Sequence, residues 1–434
     1  MISSVITQTQ KAPSIPQTKM HRPWWRHLGQ GFCFVLLALA LLEGYFRLAG
    51  VGGGEFLQPD LQLGTKHIPD KQVIWRTEGF SNNRMSSVGL RDTEHTVSKE
   101  PSVYRIALLG DSLVEALQVD LNDTFGKLLE SRLNQTVANG SVKGSIYGSL
   151  NGSLNNHDKN RRYEAINFGC GGYSTGQEVL QYEREAAKYK PDAIFLFYNR
   201  GDSLESVVTN KDRKKAEPRP YFYLDQSGQL KEDDSVLAAN FDKLKPQPLR
   251  DFLGKNSTIY GALNQADFSL TLNEPHYRKI KGWLNSAVSW SANIMHPHEM
   301  NTAYGLSKPR PYISVIPTQA SLLQQGLYSK AFYPDQDEMT VTKALISKLA
   351  NQAAKNGQTF VLVIYPNIDH YSALTEQAKQ LKILARENHF LYLDLSPAFL
   401  ADPQPRSNFA LYHFNKKGHI TVANQLLRVF DNTN

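Results

Sequence analysis

Tyr104-Arg105-Ile106-Ala107-Leu108-Leu109-Gly110-Asp111-Ser112 passes from a strand-like run into a short polar turn. Its first part is largely apolar, the pattern of a strand covered on both faces. Gly110-Asp111-Ser112 ends that run, and helical spacing follows through Leu113, Leu117, Phe125, Leu128, Leu129 and Leu133. A strand that turns through a short polar loop into a helix opens a βαβ unit. The rhythm recurs outward from there. Ala165–Phe168 reads as a strand, followed by the turn Gly169-Cys170-Gly171-Gly172-Tyr173-Ser174 and a helix over 175–188. Pro191 introduces the strand Ala193–Tyr198. Beyond residue 335 come a helix over 338–356, the strand Phe360–Tyr365, a helix over 371–388, the strand Phe390–Asp394 and a closing helix over 417–430. Apolar strands alternating with helices predict an α/β fold, a three-layer sandwich around a mostly parallel five-stranded sheet. Such sheets bind ligands beyond the carboxyl ends of their strands. That rule points to the loops holding Ser112, Gly172 and Asp202, and to the chain after Asp394.

The remaining segments divide as follows. Residues 1–27 are polar and end in His21-Arg22-Pro23-Trp24-Trp25-Arg26-His27, which suits a cytoplasmic tail meeting a membrane interface. Residues 28–50 contain an unbroken apolar run from Gly31 to Leu42. Extended to Leu48, with Glu43 and Arg47 near its end, it is long enough for a transmembrane helix. The same run fits the apolar region of a cleaved signal peptide. Either reading sends the rest of the chain out of the cytoplasm, to the periplasm or cell surface. Residues 51–100 read as a linker and lead-in. Residues 101–204 and 336–434 carry the two parts of the α/β domain. Within the first, 139–162 repeat Gly-Ser and read as a flexible insertion. Residues 205–335 lack βαβ rhythm and read as an inserted cap or lid, partly helical around 275–295.

The net charge of +7 comes from Lys and Arg scattered among nearly as many Asp and Glu. No basic stripe with interleaved aromatics marks a nucleic-acid surface. Cys33 lies in the apolar run and Cys170 in the glycine-rich turn, so no disulfide is expected. His296-Pro297-His298-Glu299 groups three potential ligands, but its spacing fits no metal motif. No metal and no cofactor are expected.

Ser112 stands at a helix N-terminus, where unpaired N–H groups and the helix dipole favour developing negative charge. A serine so placed can attack a carbonyl while its own N–H holds the oxyanion; an ordinary N-cap is the alternative. Near the other end, Leu411-Tyr412-His413-Phe414-Asn415-Lys416-Lys417-Gly418-His419 leads into the last helix. His413 on that loop is the candidate general base, and His419 is better suited to packing.

Four blocks in order resemble the SGNH (GDSL-type) hydrolase superfamily, and within it membrane-anchored bacterial esterase-like proteins. They are Gly110-Asp111-Ser112, Asn167–Tyr173, Tyr198–Ser203 and His413–His419. The resemblance covers about 80–204 and 338–430. It implies Ser112 as nucleophile, His413 as base, and an oxyanion hole from Ser112, Gly172 and the position of Asp202. The chain departs from the family twice. Asp202 stands where the family has an asparagine, with Asn199 nearby. Ala410 and Leu411 stand where it has the aspartate that orients the histidine. A Ser-His dyad is therefore expected, with a backbone carbonyl, Asp394 or Asp402 as possible orienters. The implied function is an extracytoplasmic serine hydrolase cleaving an acyl ester on a small molecule or glycan. A polysaccharide O-acyltransferase and a non-catalytic binding protein are the alternatives.

Overall fold

The computed structural model describes residues 24–49, 56–76, 78–138, 161–199, 205–207, 216–241, scattered positions between 252 and 280, 338–366 and 376–430. The chain divides into two units, Met1–Ala49 and Gly50–Asn434. The first holds α1 (Trp24–Leu48). Its Leu28–Leu48 segment has a mean hydropathy of 1.7 and is long and apolar enough to cross a membrane. A signal sequence has the same character.

In the second unit, five parallel strands run in the order β11-β10-β7-β5-β6. They are β5 (Val103–Leu109), β6 (Arg162–Asn167), β7 (Ala193–Tyr198), β10 (Thr359–Ile364) and β11 (Leu391–Asp394). Alternate side chains of the central strands feed two separate cores, as strand periodicity requires. Ala107, Leu109, Ile194, Leu196, Leu362 and Ile364 enter one core. It is closed by α4 (Thr175–Arg184), α6 (Glu338–Lys355) and α7 (Glu376–Glu387). Ile106, Leu108, Phe195, Phe197, Val361 and Val363 enter the other, under α3 (Phe125–Ala138) and α9 (Lys416–Leu427). The three-layer α/β arrangement follows directly from this division. The chain reverses its lateral direction between β5 and β7, so their carboxyl ends flank a crevice.

Three local expectations need correction. Residues 56–100 are not a linker. They form two antiparallel hairpins, β1 (Leu57–Asp60) with β2 (Gly64–His67), and β3 (Gln72–Trp75) with β4 (Ser81–Arg84). Leu57, Leu63 and Leu90 join the main core, and Ser81 Oγ donates to Leu117 O at 2.6 Å. These strands are four residues long and largely polar, too short to show a period. Second, the helix read from Leu113 to Leu133 is broken. α2 (Ser112–Glu115) ends at Ala116 in the left-handed conformation (φ 60°), and a 3₁₀ turn at Leu121–Asp123 precedes α3. Third, β6 starts at Arg162 instead of Ala165; residues 139–160 of the Gly-Ser insertion lie outside the described residues.

Most of 205–335 also lies outside them, including 281–335 and with it His296-Pro297-His298-Glu299. Its described part includes the hairpin β8 (Tyr221–Leu224) with β9 (Leu230–Asp233), and α5 (Ser235–Phe241). A further short helix, α8 (Ser396–Leu400), follows β11. Cys33 and Cys170 are both unpaired.

Candidate active site

The turn after β5 is built by Asp111. Its Oδ1 caps α2 by accepting from Leu113 N at 2.9 Å, and its Oδ2 accepts from Asn199 Nδ2 at 3.1 Å. Burial pushes the Asp111 carboxyl up, against those two hydrogen bonds. Ser112 is thus the first residue of a helical turn, where the backbone N–H has no intrahelical acceptor. Asn199 follows β7, so both walls of the crevice meet at Asp111.

The loop after β6 is pressed against the same turn. Asn167 Nδ2 donates to Val114 O at 2.8 Å and its Oδ1 accepts from Gly169 N at 2.8 Å. Cys170 N donates to Gly110 O at 3.1 Å. A Cβ on Gly169 would lie 2.4 Å from Glu115 N, so only glycine allows the approach. Gly172 follows in the left-handed region, with φ of 78°. Asp202 lies outside the described residues.

His413 is presented by a tight turn. Phe409 and Phe414 pair across it, and Ala410 N donates to His413 O at 2.9 Å. The rings of Phe399, Phe409 and Phe414 pack together beneath, with centroids 5.1 to 5.4 Å apart. Asn415 then caps α9 by accepting from Lys417 N and Gly418 N. His413 Nε2 stands 2.8 Å from Ser112 Oγ. The structure therefore brings together two residues 301 positions apart in the chain.

The dyad expectation is corrected by Glu78, which the sequence reading missed. Glu78 lies between β3 and β4, and its Oε2 accepts from His413 Nδ1 at 2.8 Å. The same oxygen accepts from Tyr412 N and His413 N, each at 3.2 Å. The carboxylate fixes the proton on Nδ1 and leaves the Nε2 lone pair facing the serine hydroxyl. Gly79 (φ 121°) lets this turn sit against the chain after α2, since a Cβ there would meet Gln118 O at 2.4 Å. Asp394 is occupied elsewhere, accepting from Ser396 N at 2.8 Å. Asp402 is held by Lys417 Nζ at 2.6 Å and Asn408 Nδ2 at 2.8 Å. The signal for Glu78 was thin: a lone Glu-Gly pair with no local motif.

Burial alone would lower the His413 pKa; Glu78, with Asp111 and Glu115, outweighs it and holds the imidazole above its ordinary 6.5. Burial opposes the ionised Glu78 likewise, and the His413 contacts with the two backbone N–H groups hold it below its ordinary 4.5. His419 behaves oppositely. It is buried, stacks on Phe125 with centroids 5.6 Å apart, and accepts from Phe125 N at 3.3 Å. Burial first, then the charges of Arg91 and His413, push it down to about 3. It is a neutral packing residue.

No known protein-family model matches the chain, and no curated protein matches it. Among solved structures it is similar to TesA, at 9% identity over 75% of this chain and 97% of that one, with a TM-score of 0.34. A G-D-S-L family protein from Desulfitobacterium hafniense DCB-2 gives 10% identity, 75% and 99% coverage and a TM-score of 0.33. The acetylxylan esterase Axe2 from Geobacillus stearothermophilus gives 11%, 75% and 93%, and 0.32. Likenesses of this size assign no family.

Proposed function

We propose that the chain is a serine hydrolase cleaving an acyl ester, with Ser112 as nucleophile, His413 as general base and Glu78 as the residue that orients and charges His413. The observation that carries this reading is the continuous line Glu78 Oε2, His413 Nδ1, His413 Nε2, Ser112 Oγ, with both gaps 2.8 Å. In the first half-reaction Ser112 Oγ attacks the acyl carbon and its proton passes to His413 Nε2. The imidazolium is stabilised by Glu78 and returns the proton to the leaving alcohol. Water then repeats the sequence on the acyl-enzyme and frees the acid. The Ser112 and Gly172 N–H groups are the proposed oxyanion donors. An ionised Asp202 would repel that charge and would contribute only if protonated. The Asn199 amide, which donates to Asp111 Oδ2, is the alternative third donor if its loop shifts.

A non-catalytic reading was motivated by Asp202 and by the missing aspartate at 410 or 411; Glu78 answers the second of these by standing where that aspartate would act. The motif resemblance makes O-acyl carbohydrates and lipid esters the substrates to try. The α1 segment supports an extracytoplasmic placement as a membrane-attached protein. Hydrolysis of p-nitrophenyl acetate and of acetylated xylooligosaccharides tests the proposal. Wild type is expected to turn over one of them, and Ser112→Ala to lose at least about 10³-fold in kcat while keeping its circular-dichroism spectrum. Unchanged turnover in Ser112→Ala would remove the assignment.

A further inference from the structure

Beneath the nucleophile turn lie three side chains that neither attack the ester nor carry its proton. They are His67 at the end of β2, Glu115 at the end of α2 and Cys170 in the loop after β6. Their exposures are 4%, 3% and 1%. One ligand atom from each falls within 4.8 Å of the other two. We propose that His67, Glu115 and Cys170 form a buried binding site for a thiophilic divalent cation, of which zinc is the representative.

The donor set is the first argument. Imidazole, carboxylate and thiolate together suit zinc and its soft neighbours, whereas magnesium and calcium take oxygen donors. The second is orientation. His67 Nδ1 donates to Gly89 O at 3.0 Å, which aims Nε2 at the other two groups. A metal-bound histidine characteristically has its far nitrogen held by a carbonyl in this way. The ring is also stacked on Phe56, with centroids 6.2 Å apart. The third is the pressed backbone. A Cβ on Gly171 would lie 2.9 Å from Glu115 Oε2, so the glycine brings the Cys170 loop against the carboxylate.

Charge is the fourth argument. His67 Nε2 and Glu115 Oε1 stand 2.5 Å apart, with one proton between them. A divalent cation entering the site displaces the Nε2 proton of His67 and the thiol proton of Cys170. Two positive charges enter and two protons leave, so the buried net charge is unchanged. The Nε2 and Oε1 atoms move apart to roughly 3 Å as each takes a bond of about 2 Å to the ion. Three protein ligands leave a fourth tetrahedral position for water. Positions 67, 115 and 170 form no local motif, which is why the sequence reading expected no metal.

Bound there, the ion would tie the first hairpin, the nucleophile turn and the glycine loop together, independently of any catalytic role. The test uses the full chain purified from zinc-supplemented medium and desalted. Mass-spectrometric metal analysis is expected to give about one zinc per chain, lost in Cys170→Ser and in His67→Gln. After chelation, added zinc raises the unfolding temperature by several degrees and magnesium does not. Cobalt(II) gives a thiolate charge-transfer band that Cys170→Ser abolishes. If the variants fail to fold, the wild-type stoichiometry and cobalt spectrum decide. Wild-type zinc below about a tenth per chain, with no zinc-dependent thermal shift and no thiolate band, overturns the proposal.

Discussion

Replacing Glu78 with glutamine keeps the size of the side chain and removes its charge. If Glu78 orients His413 and stabilises the imidazolium, Glu78→Gln lowers kcat by about 10²–10⁴. The pH dependence should move as well. The base must be neutral to act, so wild-type activity rises through the His413 pKa, which lies above 6.5. Removing the carboxylate lets burial dominate, and the acidic limb of kcat/KM shifts to lower pH. Stability follows the same linkage. The raised His413 pKa contributes stability that is complete below 6.5 and is lost as pH rises through the folded value. The depressed Glu78 pKa contributes stability present above 4.5 and lost as pH falls through its folded value. The destabilisation by Glu78→Gln, read from chemical denaturation, should therefore shrink between about pH 6 and pH 9. A difference that grows over that range would contradict the pairing. Ser112 and His413 were legible as candidates because each sits in a block that resembles the SGNH pattern, one at a helix start and one in a loop before a helix. Glu78 was not, because it reaches His413 across 335 positions and nothing around it is periodic.

At the scale of elements, the helix ends show where local sequence and backbone conflict. α7 closes with Phe390 N donating to Ala385 O at 3.0 Å, which forces His389 into the left-handed region (φ 56°). That position favours glycine, and His389 is exposed, so its side chain is not part of the core. His389→Gly is expected to stabilise the protein by about 0.5–1 kcal/mol in urea unfolding. A loss of stability would show that the imidazole makes a contact worth more than the strain. Elements buried on both faces, β5, β7 and β10, could be read from their apolar runs alone, and β7 matches residue for residue. The four strands of the two N-terminal hairpins could not. Ser81-Asn82-Asn83-Arg84 is a strand because it pairs with β3 and docks on Leu117, not because its residues prefer one. The break at Ala116 escaped notice for a similar reason: alanine is a strong helix former held left-handed by its surroundings.

For the whole molecule, the site depends on chain far outside the α/β repeat. Residues 56–100 supply Glu78 and the buried Leu57, Leu63 and Leu90, and Arg105 holds them down by donating to Val97 O at 3.1 Å and Ser98 O at 3.3 Å. A chain cut to begin at residue 101 should be inactive and poorly soluble. One beginning at residue 50 keeps a complete unit and should fold and retain activity. Equal behaviour of the two in solubility and turnover would mean that the hairpins are dispensable. The alternation of strands and helices announced the sheet, but a contribution from a preceding hairpin left no trace in that rhythm. The most direct test of the central claim is covalent labelling with a fluorophosphonate, with the modified peptide located by mass spectrometry. Wild-type protein should carry one adduct, on Ser112, formed more slowly in Glu78→Gln and absent in His413→Ala. Folded protein that takes no label, or takes it on another residue, would rule out Ser112 as the nucleophile.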